Sequence, residues 1–276
     1  MKKTIDELID GLISEIKNNE TITKKLLDKN NDNVSCNFVS RTTGVISGIH
    51  YSQYIYKRIN SKISFQILRE DGEFVNRGDV IAVITGPMAD ILRGQNLALN
   101  FVRFLSGIAS ITRKAKLELV NTGCELVYSS FANPIYEEAI KKAFIDGGGI
   151  VNNNKTYVIT RNIRTRFDNY QEIFDRIHNL DPELEIIIEV DNVADLLEVS
   201  NILNKNKRIR VCTNKDNILE ECSKFGLKHL EAMGDYDIKK IRSIASMGYK
   251  SLIIPYLTCD NNNLNIEMCF YRRIKK

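Results

Sequence analysis

The chain has 276 residues, of which 43% are hydrophobic and 27% charged, and a formal net charge of +4. That size supports one large or two modest domains with real cores. The longest apolar runs, such as Val80–Thr85, are far too short to span a membrane. Lys and Arg interleaved with acids leave no concentrated basic face for nucleic acid.

At the N-terminus, acids interrupt the segment MKKTIDELIDGLISEI, so it does not read as a signal peptide. It predicts an amphipathic helix over residues 4–17. Ile5, Leu8, Ile9, Leu12, Ile13 and Ile16 share one face, and Thr4 with Glu7 has capping-box spacing. Residues 34–90 carry strand signals punctuated by glycine. There is a turn at Gly44, a short strand ending near Gly48, and turns at Asp71-Gly72 and Arg77-Gly78. These predict a small antiparallel sheet. Met88 to Ile111 reads as a helix with Ile91, Leu92, Leu99, Phe101, Val102, Leu105 and Ile108 as its apolar content.

From Cys124 the pattern alternates. Strands are expected near 125–129, 156–160, 185–190, 207–213, 228–233 and 251–256, with helical stretches between them. Short apolar strands alternating with helices imply a parallel sheet buried on both faces. The number of units favours a closed or nearly closed βα barrel. No GxGxxG follows a strand, which disfavours a dinucleotide fold. Cys36, Cys124, Cys212, Cys222, Cys259 and Cys269 show no CxxC spacing. They read as reduced thiols of a cytoplasmic protein. His50, His178 and His229 are scattered and read as structural or surface residues.

In βα barrels, chemistry collects at the carboxyl ends of the strands. Glu189 and Asp191 are two apart and point to one side of their strand, and Glu231 poses the same question on a later strand. A carboxylate in an apolar strand must be paired, solvated at the mouth or protonated. Two readings stay open. The three acids hold ribose hydroxyls or a divalent cation, with Asp191 as the metal ligand. Alternatively, Glu189 and Glu231 are internal ion pairs and Asp191 is an N-cap. Gly147, Gly148 and Gly149 either end a helix or let backbone pass close to a ligand. Ser129, Ser130 and Asn133 either touch a ligand or cap a helix near Pro134.

In order and spacing, the chain resembles the quinolinate phosphoribosyltransferase (nicotinate-nucleotide pyrophosphorylase, carboxylating) family over roughly residues 34–258. The match runs through Gly44-Val45-Ile46-Ser47-Gly48, Asp71-Gly72 and Gly78-Asp79-Val80. It continues through Leu99-Asn100-Phe101 and Leu105-Ser106-Gly107-Ile108-Ala109. In the second half it takes in Lys141, Ala143, Gly147-Gly148-Gly149, Glu189-Val190-Asp191, Asn214, Leu230-Glu231-Ala232, Gly234 and Leu257-Thr258. The resemblance implies an α/β fold in two parts. An N-terminal open α/β sandwich covers residues 1–108, and the tail 259–276 packs back on it. An incomplete, roughly seven-stranded parallel βα barrel covers 109–258. It also implies a homodimer in which the sandwich of one subunit covers the barrel mouth of the other. The small N-terminal sheet, with too little chain to cover both faces, points the same way. The implied reaction belongs to NAD biosynthesis. It joins quinolinate to phosphoribosyl pyrophosphate with Mg2+ and releases CO2 and pyrophosphate. Candidate ligand residues are then Glu189, Asp191, Asn214 and Glu231. Gly147, Gly148, Gly149 and Gly234 are candidates for backbone approach to phosphate, and Lys141, Ser129, Ser130 and Arg161 are further contacts.

Both substrates are polyanions, so such a site needs Arg and Lys for bidentate contacts. Here the chain departs from the family pattern. The family's Glu-Arg before the Leu-Asn pair is Gln95-Asn96. Its Asp-Thr-Arg-Lys segment aligns with Tyr128-Ser129-Ser130-Phe131, and its Asn-His-Arg falls in Val151-Asn152-Asn153-Asn154. Its Ile-Lys-Asp-Asn-His aligns with Ile159-Thr160-Arg161-Asn162-Ile163. Its Leu-Asp-Asn becomes Cys212-Thr213-Asn214, and a glycine-containing phosphate loop becomes Ile254-Pro255-Tyr256. Lys155, Arg161 and Arg164 are candidate replacement charges at a different spacing. The leading expectation is a family scaffold that has lost the family reaction, either a pseudoenzyme or a binder of a less anionic ligand. The alternatives are an active phosphoribosyltransferase with a rebuilt pocket, and an interaction protein that pairs with a true family enzyme.

Overall fold

The structure, a computed structural model, describes residues 5–18, 32–128, 135–152, 155–202, 207–259 and 263–270. None of the described helices is long and apolar enough to cross a membrane. Two compact units emerge from the packing. One comprises 1–113, 131–148 and 257–276; the other comprises 114–130 and 149–256. A break at residue 108 was expected. The helix Glu137–Asp146 instead groups with the first unit.

In the first unit, the helix Ile5–Asn18 buries Ile9 and Ile13, two members of the predicted apolar face. Thr4 of the expected capping box lies outside the described residues. Four antiparallel strands are ordered β12-β1-β5-β3. They are β1 (Asn33–Ser40), β3 (Ser64–Ile67), β5 (Val80–Pro87) and β12 (Ile266–Phe270). The last strand pairs with the first, from Cys36 opposite Phe270 to Ser40 opposite Ile266. The short strands β2 (Gly44–Val45) and β4 (Phe74–Val75) form a separate ladder. Gly72 and Gly78 carry φ of +89° and +96° at the two predicted turns, conformations that favour glycine.

The helix Ile49–Ile59 corrects the sequence reading, which assigned strand signals across 34–90. Its Ile and Tyr content favours strands locally. Yet Ile49, Ser52, Ile55, Tyr56 and Ile59 recur at helical spacing and are all buried. Tyr56 joins Phe38 and Phe65 in an aromatic cluster with ring centroids 5.7–6.5 Å apart, so tertiary packing overrides propensity. The next helix, Met88–Glu118, continues beyond the expected end at Ile111.

Gly147 ends the helix Glu137–Asp146. A Cβ there would lie 2.5 Å from the Ala109 carbonyl oxygen and 2.6 Å from Thr112 Cβ. The glycine thus permits close helix packing. Gly147→Ala should destabilise the protein by about 1–3 kcal/mol, read as a lower denaturant midpoint at unchanged slope. An unchanged midpoint would show that the close approach is unimportant.

The second unit is a six-stranded, all-parallel sheet ordered β6-β11-β10-β9-β8-β7. Its strands are β6 (Glu125–Val127), β7 (Thr156–Ile159), β8 (Glu185–Val190), β9 (Lys207–Cys212), β10 (Leu230–Met233) and β11 (Ser251–Ile253). Ile150 adds one isolated parallel bridge beside Val127, so the described sheet has six strands where the resemblance implied roughly seven. The result is an incomplete βα barrel. β11 stops before Pro255, short of the expected end at 256, and Tyr256 instead begins the short helix Tyr256–Cys259. Pro255 has no N–H to continue a ladder.

Candidate functional site

Strand β9, KRIRVC, alternates buried and half-buried residues. Lys207, Ile209 and Val211 share the face that packs on the helix Tyr170–Leu180, where the Lys207 amine rests on the Phe174 ring. Period-two geometry puts Arg208, Arg210 and Cys212 on the other face, toward the barrel interior. Register then sets Arg210 beside Glu189 on β8 and Glu231 on β10.

Two guanidiniums and three carboxylates meet there. Arg208 Nη1 donates to Glu231 Oε1 at 2.6 Å, and Arg210 Nε donates to Glu231 Oε2 at 3.0 Å. Arg208 Nε lies 2.7 Å from Glu185 Oε1, and Arg210 Nη1 lies 3.8 Å from Glu189 Oε1. Glu231 is only 2% exposed. Both of its oxygens are committed to the protein's own cations, so of the two open readings the structure shows the ion pair. Three acids against two bases leave one carboxylate poorly matched, and Glu189 is the most distant. Burial raises its proton affinity above the usual carboxylate value, and Arg210 opposes this.

Glu189 therefore stabilises the fold best when protonated. Its contribution is complete below the unfolded carboxylate pKa and is lost as pH rises through its raised folded value. Glu189→Gln should consequently be more stable than the parent at neutral pH, with the gain vanishing in acid. Thermal melts across pH check this. A variant less stable than the parent at pH 7 would mean that ionised Glu189 supports the fold.

Asp191 accepts from Arg161 Nη1 at 2.6 Å and from Asn192 Nδ2 at 2.8 Å. It is not the helix cap. Asn192 is, through its Oδ1 and the Asp195 N–H at 2.9 Å. The Arg161 and Asp191 side chains are 75% and 34% exposed, and such surface pairs contribute little. Asp191→Asn should therefore change stability by at most about 1 kcal/mol. Ribose 5-phosphate with Mg2+ should give no thermal shift in the parent. A large loss of stability, or a parent shift abolished by the variant, would contradict this reading.

The remaining candidates are also engaged by the protein. Asn214 Oδ1 accepts from the Asp235 N–H at 2.9 Å. A Cβ on Gly234 would lie 2.4 Å from that same Asn214 oxygen, so this glycine admits the protein's own loop. Lys141 pairs with Glu137 at 3.0 Å. Gly148, at φ +93°, completes the helix end begun at Gly147, and Gly149 follows in the loop before Ile150. Lys155 pairs with Asp181, and Arg164 with Glu198 at 3.3 Å. Ser129, Ser130, Phe131 and Asn133 lie outside the described residues. Burial pushes the Cys212 thiol up to about 12, so it offers no thiolate at the end of β9.

No group of three His, Cys, Asp or Glu that could hold a metal occurs among the described residues. The acids offered for Mg2+ face guanidiniums, which compete for the same oxygens. As arranged, the described acids do not fit a protein-held divalent cation. Sequence reasoning missed Glu185, Arg208 and Arg210. Their signal was opposite charges at matching alternate positions of neighbouring strands.

A family model described as the quinolinate phosphoribosyl transferase N-terminal domain matches residues 21–106. Over 220 residues, the chain is 24% identical to a probable nicotinate-nucleotide pyrophosphorylase (carboxylating) of a Synechocystis species, covering 76% of this chain and 74% of that protein. A protein of the same description from Methanothermobacter thermautotrophicus is 23% identical over 268 residues, covering 90% and 92%. The chain is thus similar to the quinolinate phosphoribosyl transferase family, by a domain match in its N-terminal part and by relatives that span most of its length. The fold also matches solved structures. The nicotinate-nucleotide pyrophosphorylase of Ehrlichia chaffeensis superposes with a TM-score of 0.88 at 22% identity, covering 98% of this chain and 100% of that one. Human nicotinic acid phosphoribosyltransferase gives 0.62 at 10% identity, covering 96% and 74%. At such identities the likeness establishes a shared fold.

Proposed function

We propose that this protein keeps the scaffold of the NAD-biosynthetic phosphoribosyltransferases without their reaction. It serves as a pseudoenzyme or holds a different, less anionic ligand at the barrel mouth. One observation carries this reading: the interior guanidiniums of Arg208 and Arg210 are spent on Glu185, Glu189 and Glu231. A dicarboxylate and a pyrophosphate need uncommitted, bidentate cations. Asn96, Ser130, Phe131, Asn153 and Thr160 stand where the family pattern has Arg or Lys. The same reading includes a homodimer. A cleft of about 280 Å³ in the first unit, lined by Leu12, Leu97, Phe101, Phe104 and Tyr136, offers an apolar surface for a second copy.

Calorimetric titration tests the reading. Phosphoribosyl pyrophosphate with Mg2+, followed by quinolinate, should give no saturable heat up to about 1 mM. Micromolar binding of both would favour the alternative, a working enzyme with a rebuilt pocket.

A further inference from the structure

The face of β9 turned toward the helices holds a second anomaly. Ile209 and Val211 are buried there as the pattern demands, and Lys207 occupies the third position of that apolar row. It is 9% exposed. Its amine lies 3.5 Å from the Phe174 ring centroid and donates to the Ile202 carbonyl oxygen at a long 3.4 Å. No carboxylate lies within ion-pair distance of it among the described residues. Buried lysines are normally paired. Lys207 also lines a cleft of about 280 Å³, whose wall includes Phe174, Asp175, His178, Asp181 and Ile186.

We propose that Lys207 is a carbonyl-reactive amine, and that this cleft takes a small, weakly charged aldehyde or ketone as an imine. The site stands at the amino end of β9, away from the carboxyl ends where barrel chemistry collects. The amine nitrogen attacks the carbonyl carbon and forms the C–N bond. Both amine protons leave with the carbonyl oxygen as water, and the C=N bond results without oxidant or reductant. Burial lowers the affinity of Lys207 for its proton, against the field of Asp175, and so enriches the nucleophilic neutral form. The charges around the cleft disfavour a polyanion. Asp175, which accepts from Gln171 at 2.8 Å, and Asp181, held by Lys155, both present carboxylates. His178 is the remaining titratable group of the wall.

The full chain should be treated with butanal and cyanoborohydride at pH 7, and the alkylated lysines mapped by peptide mass spectrometry. Lys207 should label faster than exposed lysines such as Lys62 and Lys215, because a lowered proton affinity leaves more of the free amine at pH 7. The advantage should narrow at pH 9. Lys207→Met, which suits the apolar row, should lose the fast phase and keep the slow labelling. Labelling of Lys207 no faster than that of the exposed lysines, or none at all, would overturn the proposal.

Discussion

Glu231→Ala should destabilise the protein by about 3–5 kcal/mol, because it strips Arg208 and Arg210 of their shared acceptor and leaves charge buried without compensation. Both guanidiniums are largely enclosed, with side chains 18% and 14% exposed. Arg208 Nη2 already lacks a hydrogen-bond acceptor among the described residues. The remaining acids are poor substitutes. Glu189 is 3.8 Å from Arg210, and Glu185 pairs with Arg208 at 2.7 Å. Urea unfolding of parent and variant measures the loss. Replacing the set together, with Arg208→Met, Arg210→Met and Glu231→Leu, should recover most of it, since a matched apolar filling avoids desolvating charge. A loss below about 1 kcal/mol for Glu231→Ala would be the behaviour of an exposed, solvated pair and would contradict a closed interior.

The opposite response expected at Glu189 makes the pair diagnostic. The two glutamates flank the same arginine on neighbouring strands, yet one is needed as an anion and the other costs the fold when ionised. Charge count and distance, not residue type, separate them.

The barrel half was legible because its strands are short apolar runs between helices, and that period survives without knowledge of contacts. EIIIEV at 185–190 matches its expected bounds, while β10 and β11 are shorter than expected. The helix Ile49–Ile59 was not legible, because Ile and Tyr favour strands until Tyr56 finds Phe38 and Phe65. In the candidate site, the acids stood out as polar residues in apolar strands. What neutralises them did not. Arg208 and Arg210 lie some twenty positions from their partners in sequence, and only the register of β8, β9 and β10 brings them together. The same register hides Lys207, which looks like one more basic residue at a strand start until the helix-facing side of β9 is identified.

The second large effect is on catalysis itself. The family reaction needs cations poised for two polyanions, and here the interior cations serve the protein's own acids. The loss of one desolvated charge contact typically costs several kcal/mol, so missing most of them should suppress turnover by many orders of magnitude. The most direct test is formation of nicotinate mononucleotide from quinolinate and phosphoribosyl pyrophosphate with Mg2+, followed by chromatography with the purified full chain. The expected result is no product above the enzyme-free control. Turnover at or above about 1 per second, the ordinary range for enzymes, would contradict the account and show that the pocket had been rebuilt for the same chemistry.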